Sequence, residues 1–162
     1  MIEAAKKGEK SDGGGENIGN VADAGGAGAK GNEESVKAIA SGMKGIVEAA
    51  KKAGVDLKVD AVAAGGNGNA DAGKLFATAG HANADADAVN KAAKAVSGVS
   101  GDQILNAIVT SGDGNGKKAQ EATNPIDAAI GGNDDNGQAF DGMTADDKIA
   151  AAIVLRGMAK DG

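Results

Sequence analysis

Apolar residues recur along most of this chain at helical rather than strand spacing, and the intervals between those runs are filled with Gly, Asn and Asp. The clearest run is Val36, Ile39, Ala40, Met43, Ile46, Val47 and Ala50, whose three- and four-residue steps predict one amphipathic helix of about five turns. Its ends agree with that reading. Asn32 is a capping residue, Glu33 and Glu34 suit the positive end of the helix, Lys51 and Lys52 suit the negative end, and Gly54 suits the position just beyond it. Residues 55–62 alternate apolar and polar side chains, but a lone strand has no partner, so an extended linker or helical turn is expected there.

Further helices follow. Residues 71–79 offer a short one anchored by Leu75 and Phe76, and residues 85–96 a second with Val89, Ala92, Ala93 and Val96 on one face. Ser100 and Gln103 have capping-box spacing and precede Ile104, Leu105, Ile108 and Val109 as a buried face. Residues 117–122 are expected to be helical up to Asn124-Pro125, where Pro fits the first turn of a new helix with Ile126, Ala129 and Ile130 on one side. Thr144 is placed to cap the last helix, Asp146 and Asp147 fall in its first turn, and Ile149, Ala152, Ile153 and Arg156 step along one face, which Val154, Leu155 and Met158 broaden. A helix apolar around most of its circumference belongs inside a domain or an assembly. Residues 8–32 carry almost no large side chain apart from Ile18 and Val21. The expected organisation is therefore a flexible segment over 1–31 and a helical domain over 32–162, truncated just after its most core-like element. The expected fold class is all-α: an Ala-rich helical bundle with long Gly/Asn/Asp-rich interhelical loops and no sheet, or at most a trace of strand.

Composition sharpens this. Ala accounts for 36 residues and Gly for 28, whereas Ile, Val, Leu, Met and Phe together supply only 31. Ala has the best helix propensity and Gly nearly the worst, so helices are expected to be sharply segregated from loose connections. The net charge is −6, and the lysines are single or paired (Lys6/Lys7, Lys51/Lys52, Lys117/Lys118) without a basic stripe, which disfavours nucleic-acid binding. With no Cys, disulfides, thiolate chemistry and Cys-type zinc sites are excluded, and the sequence holds no lipid-attachment Cys. The longest apolar stretch, Ile149 to Leu155, is seven residues, where a membrane span needs about 20. Met1-Ile-Glu-Ala-Ala-Lys-Lys has no apolar core of a secretory signal, so the protein is expected to be cytosolic or to lack its exporting end here.

Candidate chemistry is thin. Gly26-Ala-Gly28-Ala-Lys-Gly31 matches a dinucleotide fingerprint letter for letter, but no strand precedes it and no βαβ unit surrounds it. Gly65-Gly-Asn-Gly-Asn-Ala-Asp71 resembles a calcium-binding nonapeptide, yet its Asp falls one place late and the motif occurs once where stacked copies are needed. Asp134/Asp135 and Asp146/Asp147 lack the ligand spacing and terminal Glu of a calcium hand. His81 is the single His, and neither a nucleophile elbow nor a complete phosphate loop occurs. No catalytic residue, cofactor or metal is expected, and the protein is read as a non-enzyme. Asn67-Gly68, Asn115-Gly116 and Asn136-Gly137 are strong turn dipeptides between helical patterns, marking solvated loops over 63–69, 111–116 and 131–137.

Several stretches taken in order strongly resemble the variable large proteins and Vls-type variable surface lipoproteins of Borrelia spirochaetes. They are Gly31-Asn-Glu-Glu-Ser-Val-Lys-Ala-Ile-Ala40 with Ile46-Val-Glu-Ala-Ala50, Asp71-Ala-Gly-Lys-Leu-Phe76, and Val96-Ser-Gly-Val-Ser-Gly-Asp-Gln-Ile-Leu105 with Ala107-Ile-Val109. Asn124-Pro-Ile-Asp-Ala-Ala-Ile-Gly131 and the most specific stretch, residues 146–162, complete the set. The resemblance implies a surface-exposed, lipid-anchored outer-membrane protein whose exposed loops are exchanged by gene conversion to evade host antibody. The sequence departs from that pattern in lacking the acylated Cys, the signal and the terminal helices, so a central variable region or cassette-derived fragment is expected. On this reading the exposed variable positions are Gly65, Gly66, Asn67, Gly68, Asp113, Asn115, Gly116, Asn133, Asp134, Asp135 and Asn136. The near-constant core segment comprises Lys148, Ile149, Ile153, Val154, Leu155, Arg156 and Met158. The loops are expected to carry almost no packing constraint, with substitutions costing within about 0.5 kcal/mol. The expected partners are host antibodies and the outer membrane, with a homodimer and a host-surface ligand left open. An adhesin meeting acidic host glycans through Lys51/Lys52 or Lys117/Lys118 is the alternative.

Overall fold

A computed structural model describes residues 22, 26–57, 68–79 and 84–160. Over these the protein is helical, with five α-helices, two 3-10 helices and no strand. In sequence order they are α1 (Glu33–Lys52), the 3-10 helix η1 (Ala70–Phe76), α2 (Ala86–Ser97), α3 (Gly101–Val109), the short 3-10 turn η2 (Ala119–Glu121), α4 (Pro125–Ile130) and α5 (Asp146–Met158). The expected all-α class is what the structure shows.

Local chemistry sets most helix starts. Asn32 Oδ1 accepts the Ser35 N–H at 3.0 Å, Asp85 Oδ1 accepts the Ala88 N–H at 2.8 Å, and Asn124 Oδ1 accepts from both Ile126 and Asp127. Ser100 and Gln103 form the full reciprocal capping box. The last helix departs from expectation: it begins at Asp146, one residue too late for Thr144 to cap it, and Ala145 in the cap position has no polar side chain to offer. Asp147 instead turns its own carboxylate onto the Lys148 N–H at 2.8 Å.

α5 is the centre of the fold, packing on every other α-helix and on η1. One side, through Ile149 and Ala152, enters a cluster with Leu75, Phe76, Phe140, Met143 and the alanines of α2; the other, through Ala151 and Leu155, enters a cluster with Val36, Ile39, Ile108, Ile126 and Ile130. A helix that walls off two apolar compartments needs apolar residues around most of its circumference, which accounts for the pattern read from the sequence. Phe76 and Phe140 pair at 5.4 Å between ring centroids.

α2 is rotated from the expected orientation. Its buried stripe is Ala88, Ala92 and Ala95, while Val89 and Val96 are 55% and 37% exposed and Ala93 is exposed. Methyl-sized side groups let α2 approach η1 and α5 closely, and that close approach leaves no room for valine. Residues 117–122 are not a regular helix: only η2 forms there, and the N–H groups of Lys117 and Ala119 go to Asp127 and Asp135. Residues 26–31, read from composition as flexible, are held by backbone hydrogen bonds that hydropathy cannot register. Gly28 N–H donates to Ala77 O and Gly31 is buried, and just upstream Ala22 N–H donates to Leu75 O. Val55–Leu57 are exposed and irregular, and the rest of 55–62 lies outside the described residues.

Leu155→Ala is expected to cost about 2–5 kcal/mol in denaturant unfolding, and Met158→Ala, at a half-exposed position, within about 0.5 kcal/mol. The hydrogen bond from Ala88 N–H holds the Asp85 carboxyl below its ordinary value of 3.8. Its stabilisation is thus complete above that value and is lost as the pH falls through the lower folded one. Asp85→Asn, an equally good cap, should flatten the dependence of Tm on pH below about 4 and leave Tm at neutral pH nearly unchanged.

Candidate display loops and their anchors

Asp127, in the first turn of α4, organises the segment before it. It is buried, and its Oδ1 accepts the Asn115 N–H at 3.0 Å while Oδ2 accepts Asn124 Nδ2 at 2.8 Å and lies 3.5 Å from Lys117 Nζ. Its carbonyl accepts the N–H groups of Lys117 and Gly131. Loop 111–116 is thereby pinned through backbone atoms, and the Asn115 side group is left in solvent. Ser111 closes the other end, with its hydroxyl on Ala107 O and its carbonyl receiving the Lys44 ammonium. Between these pins Gly114 lies so close to Ile126 that an added Cβ would sit 2.5 Å from its methyl. At Gly116 the corresponding distance to Ile130 is 2.6 Å, and φ is +72°.

Asp135 does the same for loop 131–137. Its carboxylate accepts the N–H groups of Ala119 (2.7 Å) and Gly137 (2.9 Å), and its carbonyl those of Thr78 and Ala79. The Thr78 hydroxyl donates to Gly132 O and accepts from Asp135 N–H, and Lys30 Nζ reaches Asn133 Oδ1 at 3.0 Å. The two loops also touch, since an added Cβ on Gly116 would stand 2.7 Å from Gly131 O.

Beneath both lies Arg156, 2% exposed. Its guanidinium donates to the carbonyls of Ala128 and Ala129 at the end of α4 and of Ala29 in the N-terminal segment, and stacks 5.1 Å from the centroid of Phe76. Burial pushes its pKa down to about 10, with the Asp135 carboxylate opposing that shift, so it is charged at neutral pH. Gly131, at φ +81°, keeps the α4 exit open for it: a Cβ there would meet Nη2 at 2.6 Å.

The expected loop positions therefore divide. Gly68, Asp113, Asn115, Asn133, Asp134 and Asn136 are exposed, and Gly65, Gly66 and Asn67 lie outside the described residues, as does His81. Asp135 corrects the expectation: it is fully buried, because its two carboxylate oxygens replace missing partners for backbone N–H groups. Gly116 is half-buried and sterically confined, so loop 111–116 is not free of packing constraint. In the core segment Ile149, Leu155 and Arg156 are buried, Ile153 and Val154 half-buried, and Lys148 and Met158 exposed. Sequence reading missed Asp127 and Thr78. Asp127 had a signal, since it stands three residues after the capping Asn124, but Thr78 had none. Among the described residues no group of acidic or His residues is placed to hold a metal.

A family model described as Borrelia lipoprotein matches residues 1–162. Variable large protein 17 of Borrelia hermsii is 37% identical over 138 residues, 82% of this chain and 38% of that protein. Variable large protein 7 of the same organism is 35% identical over 152 residues, 90% of this chain and 41% of that protein. The crystal structure of the Lyme disease variable surface antigen VlsE of Borrelia burgdorferi is similar over 100% of this chain and 55% of that one, with a TM-score of 0.87 and 49% identity. The protein thus spans about two-fifths of the variable large proteins it matches. The solved relative is named as a surface antigen and the family as a lipoprotein, in agreement with the non-enzymatic reading of the sequence.

Gly116→Ala is expected to destabilise by more than about 1 kcal/mol, whereas Asp113→Ala and Asn136→Ala should each stay within about 0.5 kcal/mol. Arg156→Lys keeps the charge but removes the planar fork and is expected to cost about 2–4 kcal/mol. Denaturant unfolding of the four variants measures all of these.

Proposed function

The chain belongs to the Borrelia lipoprotein family, and from that premise we propose that it is a variable surface antigen of a spirochaete, displayed at the outer membrane, where exchange of its exposed residues evades host antibody. The observation that carries this reading is the alternation within loops 111–116 and 131–137. Solvent-facing Asp113, Asn115, Asn133, Asp134 and Asn136 stand between Gly114, Gly116, Asp135 and Gly137, which are confined by packing or by backbone hydrogen bonds. Tip residues can change without disturbing what holds the backbone, so the surface presented to an antibody varies while the scaffold stays folded. The relatives named as variable large proteins and as a variable surface antigen support the same role.

The adhesin alternative gains nothing from the geometry. Lys117 is drawn to Asp127, and Lys51 and Lys52 are exposed in the last turn of α1, where they complement the helix dipole.

Sequencing this locus in isolates recovered at intervals from an immunocompetent host tests the proposal. Substitutions are expected to accumulate at 113, 115, 133, 134 and 136, while Gly114, Gly116, Gly131, Asp135 and Arg156 persist. A locus that stays unchanged, or one that varies equally at the anchors, would rule out display on a fixed scaffold.

A further inference from the structure

Three Asn-Gly dipeptides occur in the sequence, at 67–68, 115–116 and 136–137. In such a pair the glycine nitrogen, unshielded by a side group of its own residue, can attack the Asn carboxamide. The sequence does not rank them. The structure separates the two pairs whose residues are described throughout.

Gly137 is buried, and its N–H donates at 2.9 Å to Oδ1 of Asp135, a carboxylate that is itself fully buried. For that nitrogen to act as a nucleophile, a charge-assisted hydrogen bond must first break inside the protein. Gly116 differs. Among the described residues its N–H meets no acceptor, and the Asn115 carboxamide beside it is exposed. The flanking N–H groups of Asn115 and Lys117 are both held by Asp127, so the pair is anchored on either side while the reacting nitrogen and carboxamide are unengaged.

We infer that Asn115 is a site of spontaneous deamidation in the folded protein and that Asn136 is protected from it by Asp135. Gly116 N bonds to Asn115 Cγ, the Cγ–Nδ2 bond breaks, and the proton from Gly116 N leaves with the departing ammonia, giving a cyclic imide. Water then opens the ring. Cleavage of the Cγ–N bond gives aspartate, and cleavage of the original peptide C–N bond gives isoaspartate, with the backbone now running through Cγ. Either product adds a carboxylate to loop 111–116, and isoaspartate also inserts a backbone carbon between the two amides that Asp127 pins. This modification does not depend on the antigen reading.

The folded protein, held at mildly alkaline pH and body temperature, is sampled over weeks by peptide mapping and by labelling with an isoaspartyl-specific methyltransferase. Asn115 is expected to convert about 10–100-fold faster than Asn136, the factor that corresponds to breaking a hydrogen bond to a charged group. In denaturant the two rates should converge, and Asn115→Ser should abolish the label from its peptide. Equal rates in the folded protein, no detectable conversion at Asn115, or a rate difference that survives unfolding would each overturn the assignment.

Discussion

The buried guanidinium of Arg156 is the contact on which the other elements converge. A charge taken out of water is costly unless it is fully hydrogen-bonded, and here the acceptors are three backbone carbonyls and not a neighbouring carboxylate. Two of them, at Ala128 and Ala129, are end carbonyls of α4, where the helix dipole favours a cation. The third, at Ala29, ties the N-terminal segment to the same spot. Because α5 supplies the arginine, a single residue fixes α5, the exit of α4 and the approach to α1 with respect to one another.

Alanine makes that convergence possible. Large apolar residues are few, yet both compartments flanking α5 are closed: one mainly by alanines set around Leu75, Phe76, Phe140, Met143 and Ile149, the other by alanines set among Val36, Ile39, Ile108, Ile126, Ile130 and Leu155. The loops follow the same logic. Asp127 and Asp135 act as polar equivalents of core residues, gathering backbone N–H groups that irregular structure would otherwise bury without partners. The anchors are buried and gather backbone atoms, whereas the exposed side groups of Asp113, Asn115 and Asn136 take no part in those hydrogen bonds.

Features set within a few residues were legible in the sequence: the caps at Asn32 and Ser100, the proline that opens α4, and the apolar girth of α5. The segments that resemble Borrelia variable proteins were legible as well, through their order and spacing. What the sequence did not disclose depends on a distant partner. The helical pattern of α2 supports a valine stripe and an alanine stripe about equally, and only the closeness of η1 and α5 selects alanine. An Asp in a Gly/Asn-rich stretch reads as solvated unless Ala119 and Thr78, far off in sequence, are known to be beside it. The backbone hydrogen bonding of residues 26–31 leaves no mark in hydropathy pattern at all.

One pair of contacts has a geometric outcome for any longer protein that contains this unit. Asn32 N–H donates to Lys160 O, and Lys160 N–H donates to Ser35 Oγ, so the first turn of α1 and the exit of α5 meet at one point. Everything between them is a closed excursion whose doorway is only as wide as a hydrogen bond. A unit with adjoining entry and exit can be swapped for another of different length or surface without shifting the polypeptide on either side. In engineering terms it is a socket: the two contacts make its doorway, and the segment leading up to it is threaded back onto the interior through Ala29, Gly28 and Ala22.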